Sequence, residues 1–503
     1  MSTTASETPT TAGTAPLPHS TAATPASPRA PSALRRMIGL LSGALAAGVM
    51  LVLPPPEGMP VEAWHVAAVT VLMATWWVWE AIPIAATALI PVALLPFLGV
   101  SGVAEATAPY ANPLVFLFLG GFCIAIAMER WNLHRRAALL VLSLVGTRQD
   151  RIVGGFMLAT AGLSMWVSNT ATATMMLPIA ATVSAMVARD GDDRRFAVAL
   201  LLGVAFGANI GGMGTLIGTP PNALFAGYMQ EAYGIEIGFG QWMLVGLPFA
   251  AVLLAVTWLV LTRMVIRLPR REIPGAADEI RRAVAALGPM SRGEKIVLAV
   301  FAATAFLWIF RPLLEGLAPG GLSDAAIAVL AALALFSIPV HPSRREFVLD
   351  WSDTARLPWG VLVLVGGGLS LGAAVQGSGL SAWVAGALEP LALLPVWLAA
   401  AAVGVAVMLI SHITSNTATA ATFLPLAGSF AALAGVDPVL ICAPVALAAG
   451  CSFMMPVASP PNAIVFATGQ LTVADMLKTG ALINLVSVGL LALVVLTLIP
   501  LVL

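Results

Sequence analysis

The sequence predicts an all-α polytopic membrane protein, folded as two inverted repeats with two re-entrant hairpins and two broken helices. Three observations predict it. Of 503 residues, 59% are hydrophobic and 10% charged, and the mean hydropathy is +0.95. A soluble chain carries about a quarter charged residues, so a solvated globule is excluded. Apolar runs near 20 residues recur, each long enough to cross a hydrocarbon core about 30 Å thick. Finally, one polar motif embedded in apolar sequence occurs twice, each time followed by the same proline-rich motif.

Residues 1–34 are rich in Ser, Thr, Ala and Pro and almost free of large apolar side chains. They form no core and read as a disordered cytoplasmic tail. A cleaved leader would begin with a short basic region and then an apolar stretch. Here the apolar stretch starts only after Arg35 and Arg36, so it reads as the first membrane helix. Apolar segments follow at roughly 37–54, 63–79, 82–99, 111–129, 152–188, 196–230, 242–266, 296–314, 322–340, 358–377, 396–434, 438–470 and 479–503. Cys123, Cys442 and Cys451 all lie inside these runs, which excludes a disulfide framework or a cysteine metal cluster.

Basic residues orient the segments. Arg29, Arg35 and Arg36 place the N-terminus inside, with Arg130, Arg135, Arg136, Arg148, Arg151, Arg189, Arg194, Arg195, Arg344 and Arg345. The stretch 263–295 holds eight basic residues and reads as a cytoplasmic linker, partly an interfacial helix. Loops assigned outside carry Glu57, Glu62, Glu105, Glu231, Glu236, Glu315, Glu389 and Asp437, and no Lys or Arg. Arg311, near a helix end, is the exception. The threading works if 152–188 and 396–434 each return to the side they came from, as re-entrant hairpins or as two spans with a tight turn. Arms of about 16 residues reach about 24 Å, short of the core, which favours re-entrant hairpins. The C-terminus then lies outside.

Residues 168–178 read SNTATATMMLP and 415–425 read SNTATAATFLP. GTPPNA (218–223) follows the first and ASPPNA (458–463) the second, while Gly120-Gly121 and Gly366-Gly367 precede them at similar distances. The repeats are thus 35–262, with the first transmembrane helix, and 296–503, joined by 263–295. One motif copy enters from each side, an arrangement that places a substrate at mid-depth between broken helices. Ser168-Asn169-Thr170 and Ser415-Asn416-Thr417 cannot face lipid, because unpaired polar groups there cost several kcal/mol. Ser, Asn and Thr favour helix N-caps, so a helix begins at each triplet with free N–H groups. Pro220-Pro221 and Pro460-Pro461 interrupt a helix and suit the first turn of the next, with Thr219 and Ser459 as caps. Four helix N-termini form an anion site without a basic side chain, nominally about two positive charges, which matches a dianion. Neighbouring carbonyl and side-chain oxygens suit a hard cation such as sodium. A lone triplet is usually a cap or a helix contact and a lone TPP a kink; two copies of both in inverted halves favour function. The glycines around 203–218 and 366–373 read as close-packing faces.

At these residues the chain resembles the divalent-anion/sodium symporter family, the sodium–dicarboxylate and sodium–sulfate cotransporters. The resemblance spans about 40–503 and rests on the paired triplets, the paired PPN segments and WWVWEAIP (76–83). It implies a transporter with a scaffold and an elevator-type transport domain, assembled as a homodimer. It implies substrate binding by Asn169, Thr170, Asn416 and Thr417, with Pro460 lining the pocket. The first sodium site would comprise Ser164, Ser168, Asn169 and the carbonyl of Gly218; the second, Ser411, Thr414, Asn416 and the carbonyl of Ala458. Ser459 stands where members often have Thr, and His412 where many have Glu, which bears on the coupling ion.

The expected function is sodium-coupled uptake of C4-dicarboxylates such as succinate, malate or fumarate across a bacterial plasma membrane. Proton-coupled transport, or sodium-independent exchange of dicarboxylates, citrate or sulfate, is the alternative. The expected partners are a small dianion, lipid and a second copy, with neither nucleic acid nor an organic cofactor. An intramembrane enzyme would need a nucleophile with its base, or clustered ligands, inside the spans; the sequence offers neither. A continuous channel suits inverted hairpins less well than alternating access.

Overall fold

Hydrophobic sequence in lipid must satisfy its backbone internally, and this chain does so with helices. A computed structural model describes residues 33–188, 193–314, 321–341, 343, 345–387 and 395–503. Among them, ten helices are long and apolar enough to cross a membrane. Sheet is confined there to a hairpin pairing Pro339–His341 with Glu346–Phe347. Of the expected tail, only Ala33 and Leu34 are described, and they open the first helix, Ala33–Val52.

Prolines set the breaks. The apolar run at 82–99 is two short helices, Ile84–Thr87 and Ile90–Phe97, because Pro83 and Pro91 each lack an N–H and restart the helix. The run at 196–230 divides into Asp193–Gly212 and Pro220–Tyr233, and that at 438–470 into Pro438–Gly450 and Pro460–Phe466. Each hairpin has a first arm of 16 residues, Gln149–Ser164 and Val396–Ser411. The second arms differ from the expected length: Asn169–Ala188 has 20 residues and Asn416–Ala434 has 19. Each turn lies before the middle of its apolar run, and the helix continues through Pro178 or Pro425.

The halves pack by the same rule and then cross. Gln149–Ser164 lies on Asp193–Gly212, as Val396–Ser411 lies on Pro438–Gly450. Pro220–Tyr233 packs on the second hairpin's Asn416–Ala434, and Pro460–Phe466 on the first hairpin's Asn169–Ala188. Glycine permits the close approach: a Cβ on Gly207 would lie 3.0 Å from the Met157 carbonyl, and one on Gly211 would overlap the Ala161 backbone. The expected close-packing face is therefore real.

Loop contacts sort into two sets. In one, Arg36 reaches the Ala81 carbonyl, Arg130 pairs with Asp350 and Asp353, and Arg356 with Glu129. Arg136 joins Glu294 and Arg194 joins Asp475. The linker pairs with the base of the first hairpin through Gln149 N–H to Arg271 O and Ile273 N–H to Thr147 O, and it contains the helix Ala276–Ala286. In the other set, Trp64 donates to Met50 O, Asn112 to Glu231 and Trp383 to Glu57 O. Each pair joins loops that the basic-residue pattern places on one side. Arg311, the exception in that pattern, is 12% exposed and pairs with Glu236 at 2.7 Å and Asp324 at 3.5 Å, so its charge is neutralised where it stands.

Candidate functional site

The two triplets do the same local work. A helix begins at Asn169 and at Asn416. Five residues upstream of each, a buried serine on the first arm donates to the amide oxygen: Ser164 Oγ to Asn169 Oδ1 at 2.5 Å, and Ser411 Oγ to Asn416 Oδ1 at 2.8 Å. The Nδ2 groups of both asparagines make no hydrogen bond among the described residues, so each keeps two uncommitted N–H donors. Ser168 caps its helix by accepting from Ala171 N–H at 3.2 Å; Ser415 makes no side-chain cap. Ser168 and Thr170 are exposed, and Asn169, Asn416 and Thr417 half-buried.

The helix breaks hold the other residues. A Cβ built on Gly212 would lie 2.7 Å from Asn169 Oδ1 and 3.0 Å from the Gly218 carbonyl. Ser164, Asn169 and Gly218 thus converge around Gly212, and three uncharged oxygens there suit a hard cation. In the second half Ser411 and Asn416 meet, and Ser452 Oγ adds a bond to Asn416 Oδ1 at 3.0 Å. Thr414 turns elsewhere, to Ile410 O and Thr419 Oγ1. Ala458 is buried, and its N–H goes to Met455 O.

The proline motifs depart from expectation in two ways. Thr219 occupies the N-cap position without a side-chain cap bond, so its hydroxyl is not committed to the helix. Ser459 does cap, accepting from Asn462 N–H. The helix it caps, Pro460–Phe466, has seven residues and sums few peptide dipoles, so the nominal charge of four helix ends is an overcount. Pro460 is exposed beside it. The asparagines of the PPN motifs tie the breaks: Asn222 Nδ2 donates to Thr215 O at 2.8 Å, and Asn462 Nδ2 to Ser452 O at 3.0 Å.

The two breaks touch. Asn209, in the first half, donates to Ser459 Oγ at 2.9 Å and Asn462 Oδ1 at 3.1 Å. A Cβ on Gly450 would meet Met213 Cε at 2.8 Å. The breaks beside Asn169 and Asn416 therefore meet in one region where both halves cross, joined by the polar contacts of Asn209 and the apolar Met213–Gly450 contact. Sequence reasoning missed Asn209 and Ser452; each is a single polar residue in an apolar run.

His412 is buried beside this region. Its Nδ1 lies 2.6 Å from Met408 O, an acceptor only, so Nδ1 carries the proton. Nε2 then accepts from Asn484 Nδ2 at 3.0 Å. Nδ1 thus ties the ring to its own arm, and Nε2 links that arm to the Val473–Leu496 helix, so both nitrogens of the neutral ring are engaged.

Comparison with known proteins agrees with this architecture. The chain is 41% identical over 475 residues to the sodium-dependent dicarboxylate transporter SdcS of Staphylococcus saprophyticus, covering 92% of each chain. It is 39% identical over 484 residues to SdcS of Staphylococcus aureus, covering 94% of this chain and 93% of the relative. Its fold is similar to that of Neisseria gonorrhoeae MtrF, with TM-score 0.53 and 14% identity over 92% of this chain and 93% of that one. The Alcanivorax borkumensis YdaH transporter gives TM-score 0.55 and 14% identity over 86% of this chain and 98% of that one. The model of the sodium:sulfate symporter transmembrane region matches residues 34–503, so the chain is a multi-pass membrane protein belonging to that family.

Proposed function

We propose that the chain is a secondary active transporter that couples sodium to the uptake of C4-dicarboxylates. The observation that carries this reading is the duplicated serine–asparagine pair. It turns each amide oxygen towards a cluster of uncharged oxygens and leaves each amide N–H₂ free for an anion. The Staphylococcus SdcS proteins, named as sodium-dependent dicarboxylate transporters, support the ion and the substrate class. Asn169, Thr170, Thr219, Asn416, Thr417, Ser459 and Pro460 bind the dianion. Ser164, Ser168, Asn169 and Gly218 hold one sodium, and Ser411, Thr414, Asn416 and Ala458 the other, both ions travelling as co-substrates.

The hairpins are re-entrant, and they move with the broken helices as an elevator domain against a scaffold that dimerises. The repeats run 35–262 and 296–503 about the 263–295 linker, with the N-terminus cytoplasmic and the C-terminus outside. Radiolabelled succinate uptake into proteoliposomes under sodium, potassium and choline gradients tests the coupling. Uptake under sodium alone is expected; equal uptake under all three removes sodium symport.

A further inference from the structure

The internal repeat exposes a difference between its own copies. Aligning GTPPNA with ASPPNA places Gly212 opposite Ser452. The two positions face equivalent atoms. A Cβ on Gly212 would lie 2.7 Å from Asn169 Oδ1, and the Ser452 hydroxyl lies 3.0 Å from Asn416 Oδ1. One copy thus presents bare backbone to the asparagine oxygen and the other a hydroxyl. Ser452 is fully buried in the break after the helix Pro438–Gly450, and its hydroxyl bonds to that oxygen alone among the described residues. Nothing in helix packing requires a polar group there, because Gly212 fills the corresponding place without one.

We propose that Ser452 is an additional oxygen ligand of the second sodium site, making the two sites unequal. The inference rests on the sodium-coupled reading above. When sodium enters between Ser411 Oγ, Asn416 Oδ1 and Ser452 Oγ, both hydroxyls rotate their hydrogens away and offer lone pairs. Ser411 already has an alternative acceptor in Ala449 O at 2.8 Å. Thr414, whose hydroxyl is engaged with Ile410 O and Thr419, leaves room in the donor set that Ser452 fills. The first site, with Gly212, has no hydroxyl at the matching position, so the two sites differ in their donor sets.

The test is the sodium dependence of thermal stabilisation of the full-length detergent-solubilised protein, without substrate. Wild type, Ser452→Ala, Ser452→Thr and Ser411→Ala are compared, with potassium as the control salt. Ser452→Ala is expected to raise the sodium midpoint by about tenfold, the low end for losing a partner around a bound metal. Its melting temperature in potassium should stay near wild type, and Ser452→Thr, which keeps the hydroxyl, should restore the midpoint. A shift with Ser411→Ala but none with Ser452→Ala overturns the inference and leaves sodium coupling intact. A lower melting temperature in potassium with an unchanged midpoint also overturns it, since Ser452 is then only packing. Absence of any sodium effect on wild type removes the coupled reading itself.

Discussion

On the proposed reading, one side chain at Asn169 and at Asn416 serves two charges. The amide oxygen is held by Ser164 or Ser411, and the amide hydrogens remain available to an anion. Alanine removes both functions at once. A charge-assisted hydrogen bond contributes about 1.5–3 kcal/mol, and a cation ligand is lost with it. Asn169→Ala or Asn416→Ala should therefore lower dicarboxylate uptake by at least about a hundredfold, while gel filtration still shows a monodisperse protein. Wild-type uptake by a well-folded Asn416→Ala protein would mean that the triplets are only helix starts. Gly212 offers a subtler probe. An added methyl would lie 2.7 Å from Asn169 Oδ1 and 3.0 Å from Gly218 O, so Gly212→Ala should raise the sodium concentration needed for uptake. Gly162→Ala, with open space at its Cβ, should not; equal behaviour of the two would remove the cation cluster from the first half.

Hairpins act only as well as their bases are held. Asp150, 2% exposed, pairs with Arg148 at 2.8 Å and Arg263 at 2.7 Å, and its carbonyl accepts from Trp258 Nε1 at 2.8 Å. This pins the first arm to the end of the helix Phe239–Leu259 and the π-helical turn Val260–Met264 that follows it. Asp150→Ala leaves two arginines facing each other. Both are partly exposed, so water recovers some of the loss, and the expected cost is about 3 kcal/mol, the low end for breaking a buried pair. Arg148→Ala, which leaves Arg263 in place, should cost less. Comparable melting temperatures for the two variants would show that the carboxylate does not organise this base. The triad was not legible in sequence: Arg148 and Arg263 read as separate cytoplasmic charges, and only folding brings them to one carboxylate. The hairpins and helix breaks were legible, because SNT and PPN each occur twice and proline acts locally. The turn position within each hairpin was not, since both arms are apolar and only the packed serine–asparagine bond fixes it. Ser452 and Asn209 were hidden for a related reason: one small polar residue in an apolar run has no local signature.

At the scale of the whole molecule, inversion is a statement about faces. The first hairpin's base joins Arg263, Arg271 and Ile273 of the linker, in the face that also contains the Arg130, Arg136 and Arg356 pairs. The second hairpin is reached through the helix Leu380–Ala387, whose Trp383 contacts Glu57 O on the opposite face. Crosswise packing of the helix after each break on the other half's second arm then joins the two hairpins, which on our proposal enter from opposite faces. We propose, from its basic residues, that the first face is cytoplasmic. Arg135 and Glu57 are exposed on the two faces, while Cys123, Cys442 and Cys451 are buried and give a quiet background for a membrane-impermeant maleimide. In right-side-out vesicles Glu57→Cys should label and Arg135→Cys should not; in inverted vesicles the pattern should reverse. Reversal of both results would turn the molecule over while preserving its inverted halves. Labelling of both cysteines from one side would be more damaging, because loops joined to opposite hairpins would then share a compartment, and the two triplets could not enter the region where the halves cross from opposite sides.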